Sequence, residues 1–220
     1  MRSQSSDEHQ GPQREQAYSR LRQLLILHQA PEGKRLNEET WANRLEVNRA
    51  ALREAFARLE AEGLIEKRSL PGYFVPQLTA KDVSEICEVR IILEGGAIDR
   101  ICRQKLNTPK HLAPLRETCE QLAGLADGGD YTAIAQAVRS FHECLIKVAK
   151  NRRLAVMYLR APLPIIPPDA VGGREWQTRV NQTVQEHRQI VEHMLQGDAV
   201  KARSTLRVHL REHFHIHPRT

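Results

Sequence analysis

Residues 47–75 read VNRAALREAFARLEAEGLIEKRSLPGYFV, and two different structures follow one another in that stretch. Leu52, Ala55, Phe56 and Leu59 stand at i, i+3, i+4 and i+7, the spacing of one buried helical stripe. Asn48 is a residue type that caps such a helix, and Gly63 is placed to end it as a C′ residue. LIEKR and YFV then read as two short strands around SLPG. On a helical wheel Arg49, Ala50, Arg53 and Ala57 share the side opposite the stripe. Long cations separated by small residues let a helix backbone come close to a flat surface while the guanidinium forks reach further. That suits the DNA major groove, where arginine pairs bidentately with guanine or clamps phosphate.

Upstream, Tyr18, Leu21, Leu24 and Leu25 predict a helix over 14–28, and Pro31 and Gly33 in QAPEGKRL break it. Asn37 is the expected cap of a short second helix with Trp41 and Leu45 facing inward. The tight turn Glu46-Val47-Asn48 then completes a helix-turn-helix. The hairpin adds Lys67, Arg68 and a Gly72 tip that can approach phosphates. A blander reading makes the arginine side a solvated face, with Arg49–Glu54 and Arg53–Glu60 pairs keeping it soluble. The ordered set of helix, turn, capped helix and glycine-tipped hairpin favours DNA over that reading.

The chain has 220 residues and a net charge of +6, but residues 14–81 hold 12 Lys/Arg against 9 Asp/Glu, a balance of only +3. A DNA argument therefore rests on placement rather than total charge. No apolar run approaches 18 residues, so no membrane span is expected, and the polar first dozen residues do not form a signal peptide. Cys87, Cys102, Cys119 and Cys144 are widely spaced with no CxxC pair, which reads as reduced thiols of a cytosolic protein. The expected division is a disordered lead-in over 1–13, a winged helix-turn-helix over 14–77 and an all-helical unit over 78–220 for effector binding and dimerisation. The fold class is thus mainly α, three helices and a two-stranded wing followed by a helical bundle. Helices are expected at 79–105, 109–126, 130–149, 151–160, 174–196 and 199–215.

In the second unit His142 shares a helix with Ile134, Val138, Phe141 and Leu145, His187 with Val184, Val191 and Met194, and His209 with Ala202, Leu206 and Leu210. Three imidazoles on or near apolar faces can converge inside a bundle, and neutral imidazole suits Zn, Ni, Mn or Fe. Three core histidines bonded to backbone carbonyls are the plainer reading. His193, His213, His215 and His217 read as surface or tail residues.

NRAALREAFARLEAEGLIEKRSLPGYFV resembles the GntR type of winged-helix repressor, at Arg49, Arg53, Glu54, Ala55, Leu59, Gly63, Leu64, Gly72 and Val75. EICEVRIILEGGAIDRIC, residues 85–102, resembles the opening of the FCD ligand-binding domain of that family's fatty-acid-regulator branch. The resemblance covers nearly the whole chain after residue 14. It implies a one-component regulator, a repressor that binds a palindromic operator as a homodimer and answers to a small organic acid. Arg49, Arg53, Asn48, Ala50, Lys67, Arg68 and Gly72 would face the DNA. Ala50 and Ala51 replace residues whose hydroxyl can hold a phosphate, and Asn48 replaces the usual Ser or Thr cap, which alters operator choice rather than binding mode.

The resemblance also implies a divalent metal held by one aspartate and three histidines. His142, His187 and His209 match the histidine positions, but the aspartate position is Val138. Two outcomes follow: a metal (Zn, Ni or Mn) that takes a further ligand from an acidic effector, or a metal-free site whose histidines bond the effector directly. Arg90, by the same resemblance, binds an effector carboxylate, and a pair with Glu94 four residues on is its alternative. A metal-responsive regulator, with the ion as the signal, is the second functional reading. A three-histidine hydrolase is disfavoured because no carboxylate is placed as general base, so no enzyme activity is expected.

Overall fold

The computed structural model describes residues 10–27, 29–128, 130–161 and 173–213. It divides into two compact units, Met1–Leu78 and Thr79–Thr220. Most of the lead-in expected over 1–13 lies outside the described residues, and so do the C-terminal tail histidines His215 and His217.

In the first unit α1 (Gln10–Ile26) begins four residues before the expected start. It packs on α3 (Arg49–Ala61), with the short α2 (Glu38–Leu45) beside them. Leu21, Leu45, Leu52, Phe56 and Leu59 are fully buried between them. Asn37 and Asn48 cap α2 and α3 through their side-chain oxygens, which accept from the Thr40 and Ala51 N–H groups. Glu46, at the end of α2, takes a left-handed φ of 56° and closes the tight turn. Gly63 ends α3 at φ 76°, with Leu64 N–H donating to Leu59 O and Gly63 N–H to Glu60 O. This is the Schellman pattern that satisfies the last carbonyls of a helix.

The expected hairpin wing forms, and a strand that was not expected joins it. The sheet has three strands, not two, in the order β1 (Arg35–Leu36), β3 (Tyr73–Phe74), β2 (Glu66–Lys67), all antiparallel. Leu36 on β1 is buried while Arg35 faces out. A two-residue strand leaves no periodicity to read; β1 exists because β3 offers it an edge.

The second unit is helical in its described residues: α4 (Ala80–Arg103), α5 (Ala113–Leu125), α6 (Tyr131–Val148), α7 (Arg152–Tyr158), α8 (Gly173–Leu195) and α9 (Ala199–His213). Thr79 and Asp82 form a reciprocal capping box at the start of α4. Ile98, Ile101, Phe141, Leu145, Ile190, Met194, Leu206 and Leu210 meet in one continuous core. A smaller apolar cluster joins α5, α6 and α8 through Leu122, Ile134, Val180 and Val184. No helix among the described residues is long and apolar enough to cross a membrane.

Candidate nucleic-acid interface and histidine centre

In the first unit Arg49, Ala50, Arg53 and Ala57 are exposed along one side of α3 while the opposite side fills the core. The cations on this surface are not bare. Arg49 pairs with Glu39 at 3.4 Å and Arg53 with Glu38 at 2.8 Å, both acids lying in the first turn of α2. The Arg49–Glu54 and Arg53–Glu60 pairs considered from sequence are replaced by these. Glu54 instead holds Arg14 at 3.2 Å, and Glu60 holds Lys67 at 2.8 Å. Arg68 pairs with Glu66 at 2.7 Å and lies over the Phe74 ring, as Lys67 lies over Tyr73. Asn48 serves as a cap, and its Nδ2 also donates to Gln13 Oε1 at 2.6 Å. Exposed ion pairs of this kind contribute about 0–1 kcal/mol each, so a phosphate can displace the carboxylate at small cost. Gly72 has φ +119°, a conformation L side chains rarely adopt, and the Arg35 side chain lies against it.

In the second unit His142 on α6, His187 on α8 and His209 on α9 are buried together, with one ring nitrogen from each within 4.8 Å of the others. His142 Nε2 and His209 Nε2 are 3.1 Å apart, and His187 Nε2 and His209 Nε2 are 3.2 Å apart. Phe141 stacks on the His187 ring at 3.8 Å between centroids and sets its plane. On the outer side His142 Nδ1–H donates to Glu94 Oε2 at 2.6 Å, and His209 Nδ1–H donates to Glu186 Oε2 at 2.8 Å. A ring that gives its Nδ1 proton to a carboxylate keeps the Nε2 lone pair. Two such lone pairs therefore face each other across 3.1 Å, an arrangement that repels unless a cation or proton lies between them. Three nitrogens about 2.0–2.1 Å from one divalent ion stand roughly 2.9–3.4 Å apart in octahedral or tetrahedral geometry, and the His142–His209 and His187–His209 spacings fall in that range. The donor set thus fits a divalent ion. Val138, packed against the apolar core, adds no ligand.

Arg90 and Glu94 on α4 are wholly buried. Arg90 Nε donates to Glu94 Oε1 at 2.7 Å, its Nη2 reaches both Glu94 and the Tyr158 hydroxyl, and Tyr158 lies over the guanidinium. The Glu94 pair weighed as the alternative for Arg90 is therefore formed. Arg90 Nη1, however, is buried without a hydrogen-bond partner among the described residues. Burial pushes the Glu94 carboxyl up, against the pull of Arg90, and pushes the Tyr158 hydroxyl well up.

Sequence reading brought together Arg90 and the three histidines but missed Tyr158, Glu186, the His142 contact of Glu94, and Arg35. A signal existed for Glu94: it interrupts the stripe Val83, Cys87, Ala97, Ile98, Ile101, and a charge inside a buried stripe demands a partner. Glu186 sits beside His187 and gave no comparable break. His193, expected at the surface, is partly buried.

Comparison with known proteins agrees with this architecture. The model of the FCD domain matches residues 85–212, and that of bacterial regulatory proteins of the gntR family matches residues 13–75. The HTH-type transcriptional regulator YdhC of Bacillus subtilis (strain 168) is 28% identical over 195 residues, 88% of this chain and 86% of that protein. A Paenarthrobacter nicotinovorans protein named "Probable D-xylose utilization operon transcriptional repressor" is 29% identical over 196 residues, 87% of this chain and 84% of its own length. Among solved structures, E. coli McbR/YncC superposes with a TM-score of 0.78 at 20% identity, covering 91% of this chain and 94% of that one. A GntR regulator from Rhodococcus sp. RHA1 gives 0.66 at 20% identity, covering 91% and 95%. These relatives are DNA-binding transcription regulators, not enzymes.

Proposed function

The chain belongs to the GntR family of bacterial transcription regulators, with an FCD domain over more than half its length, and from that premise we propose that it represses transcription by binding a palindromic operator as a homodimer. Its helical unit answers to a small organic acid held beside a divalent ion. The observation that carries the DNA half is the exposed Arg49–Ala50–Arg53 ridge on a buried-backed, doubly capped helix. Asn48, Lys67, Arg68 and Gly72 serve the neighbouring backbone, and the compartment is the cytoplasm, where the operator lies.

Dimerisation is supported by α4, which exposes Val89, Ile92 and Gly96 along one side at helical spacing. A two-fold protein matches a two-fold operator. Repression is supported by the relative that carries that name.

The effector half rests on the fourth helix and the histidines. Arg90 Nη1 offers a buried donor that an acid's carboxylate would satisfy. The paired Nε2 lone pairs of His142 and His209, joined by His187, would hold the ion. When bound, it would supply a Lewis-acid anchor for the acid's oxygens. Glu94 and Glu186 place the two imidazoles and bring negative charge close to the centre, which offsets the loss of a carboxylate at Val138.

The test is duplex binding by the full chain, using the region upstream of its own gene. Each bidentate arginine–guanine contact contributes about 1–3 kcal/mol, so R49A/R53A is expected to lose at least 30-fold in affinity, roughly, while staying folded by circular dichroism. Wild-type affinity in that variant overturns the proposal. The convergence of three imidazoles also supports a second reading, in which the ion itself is the signal. Titrating metal without any organic acid separates the two: operator affinity holds steady if the acid is the signal and moves if the ion is.

A further inference from the structure

The seam between the recognition helix and the wing holds a residue that sequence reading did not single out. Arg35 lies on β1, one position from the buried Leu36, and pairs in register with Phe74 of β3. Arg35 is nevertheless exposed where Leu36 is buried, so its side chain lies outside the core. The guanidinium crosses the sheet onto the Gly72 backbone, where its Nε stands 2.6 Å from the point a Cβ would occupy. Any side chain at Gly72 would push Arg35 off. The two residues are thus fitted to each other, a small backbone under a flat cation.

Arg35 also lines a cleft of about 480 Å³ together with Glu39, Arg49, Lys67, Gly72 and Tyr73. The charges in this cleft are unequal in availability. Arg49 is held by Glu39 and Lys67 by Glu60. Arg35 has no carboxylate partner among the described residues. Glu38, which also lines the cleft, is held by Arg53, so among the described lining residues Arg35 is the cation left without a compensating carboxylate. A duplex that seats α3 in its major groove runs one sugar-phosphate strand along the wing side of that groove.

We infer that Arg35 clamps a backbone phosphate at this seam, its guanidinium lying against the bare backbone of Gly72, whose φ of +119° already calls for glycine. The contact carries no base information: it sets how tightly and in what register the head sits, while Arg49 and Arg53 discriminate sequence. The inference rests on the operator reading above.

Its test uses the full chain and two labelled duplexes, a random-sequence 24-mer and the region upstream of its own gene, with affinity measured by fluorescence anisotropy between 50 and 200 mM salt. Each phosphate contact contributes about 0.9 to the slope of log affinity against log salt. R35A is expected to flatten that slope by about one on both duplexes, and to weaken both by a similar factor, roughly three- to tenfold. R35K should restore the slope. A slope unchanged in R35A, or a loss confined to one duplex, overturns the inference and leaves the operator reading standing. A wild-type chain that binds neither duplex overturns the operator reading, and the clamp with it.

Discussion

Glu94→Gln isolates the physical logic of the histidine centre. The substitution keeps the side-chain volume and changes one group. In the native chain Glu94 accepts from Arg90 Nε at 2.7 Å and from His142 Nδ1 at 2.6 Å, with all three residues fully buried. An amide can give only one of those partners an oxygen. If the oxygen stays on Arg90, the amide N–H₂ faces His142 Nδ1 and must donate. His142 then carries its proton on Nε2, aimed at His209 Nε2 only 3.1 Å away. That proton occupies the position the proposed ion would take, and one of its ligands would be lost. Loss of a hydrogen-bonded carboxylate behind a metal-bound histidine costs about 10–100-fold in affinity, or about 1.4–2.7 kcal/mol. The buried Arg90 meanwhile loses its counter-charge, a change that destabilises by about 3–5 kcal/mol when one partner of a buried pair is removed. The two effects separate experimentally. Metal affinity is read by competition with a chromophoric chelator, and stability by urea unfolding of the metal-free protein. The expected result is weaker metal binding and a lower unfolding midpoint together. E94Q that binds metal as tightly as the wild type would refute the tautomer reasoning, whatever its stability.

Three further outcomes follow from other parts of the fold. Glu46 holds a left-handed φ of 56° at the turn of the helix-turn-helix, so Glu46→Gly should stabilise the chain by about 1 kcal/mol, seen as a higher urea midpoint with unchanged helix content. Tyr18 donates to Glu62 in a partly buried site, and burial first, then that bond, pushes its hydroxyl from 10.0 to about 12. Because the folded value is the raised one, the Tyr18 contribution to stability is complete below pH 10 and is lost as the pH rises through about 12; Tyr18→Phe should remove that alkaline loss and one late-titrating phenol from the ultraviolet spectrum. Ile92 on α4 is 70% exposed beside Val89, and Ile92→Glu should convert the proposed dimer to a monomer in sedimentation without altering the far-ultraviolet spectrum.

What could be read from sequence was local. The caps at Asn37 and Asn48 and the stop at Gly63 follow from residue type and spacing within one or two turns, and they stand where spacing put them. The convergence of His142, His187 and His209 was legible because each stands on an apolar helix face, and apolar faces in a bundle point at one another. The partners that tune the site were not legible, because they are set by packing between segments distant along the chain. Glu38 and Glu39 reach Arg53 and Arg49 from another helix, whereas the nearer Glu54 and Glu60 pair elsewhere. Tyr158 meets Arg90 only because α7 packs on α4. β1 is two residues long and owes its existence to the free side of β3.

The carboxylates tethering Arg49, Arg53, Lys67 and Arg68 bear on how such a regulator searches a chromosome. A cation that must exchange one anion for another gains less from an arbitrary stretch of duplex, by up to about 1 kcal/mol for each exposed pair, which would shorten visits to wrong addresses. Only where base edges add their own hydrogen bonds does the exchange become favourable enough to hold the protein in place. For the proposed operator, fast rejection elsewhere would then count alongside attraction in how soon the target is found.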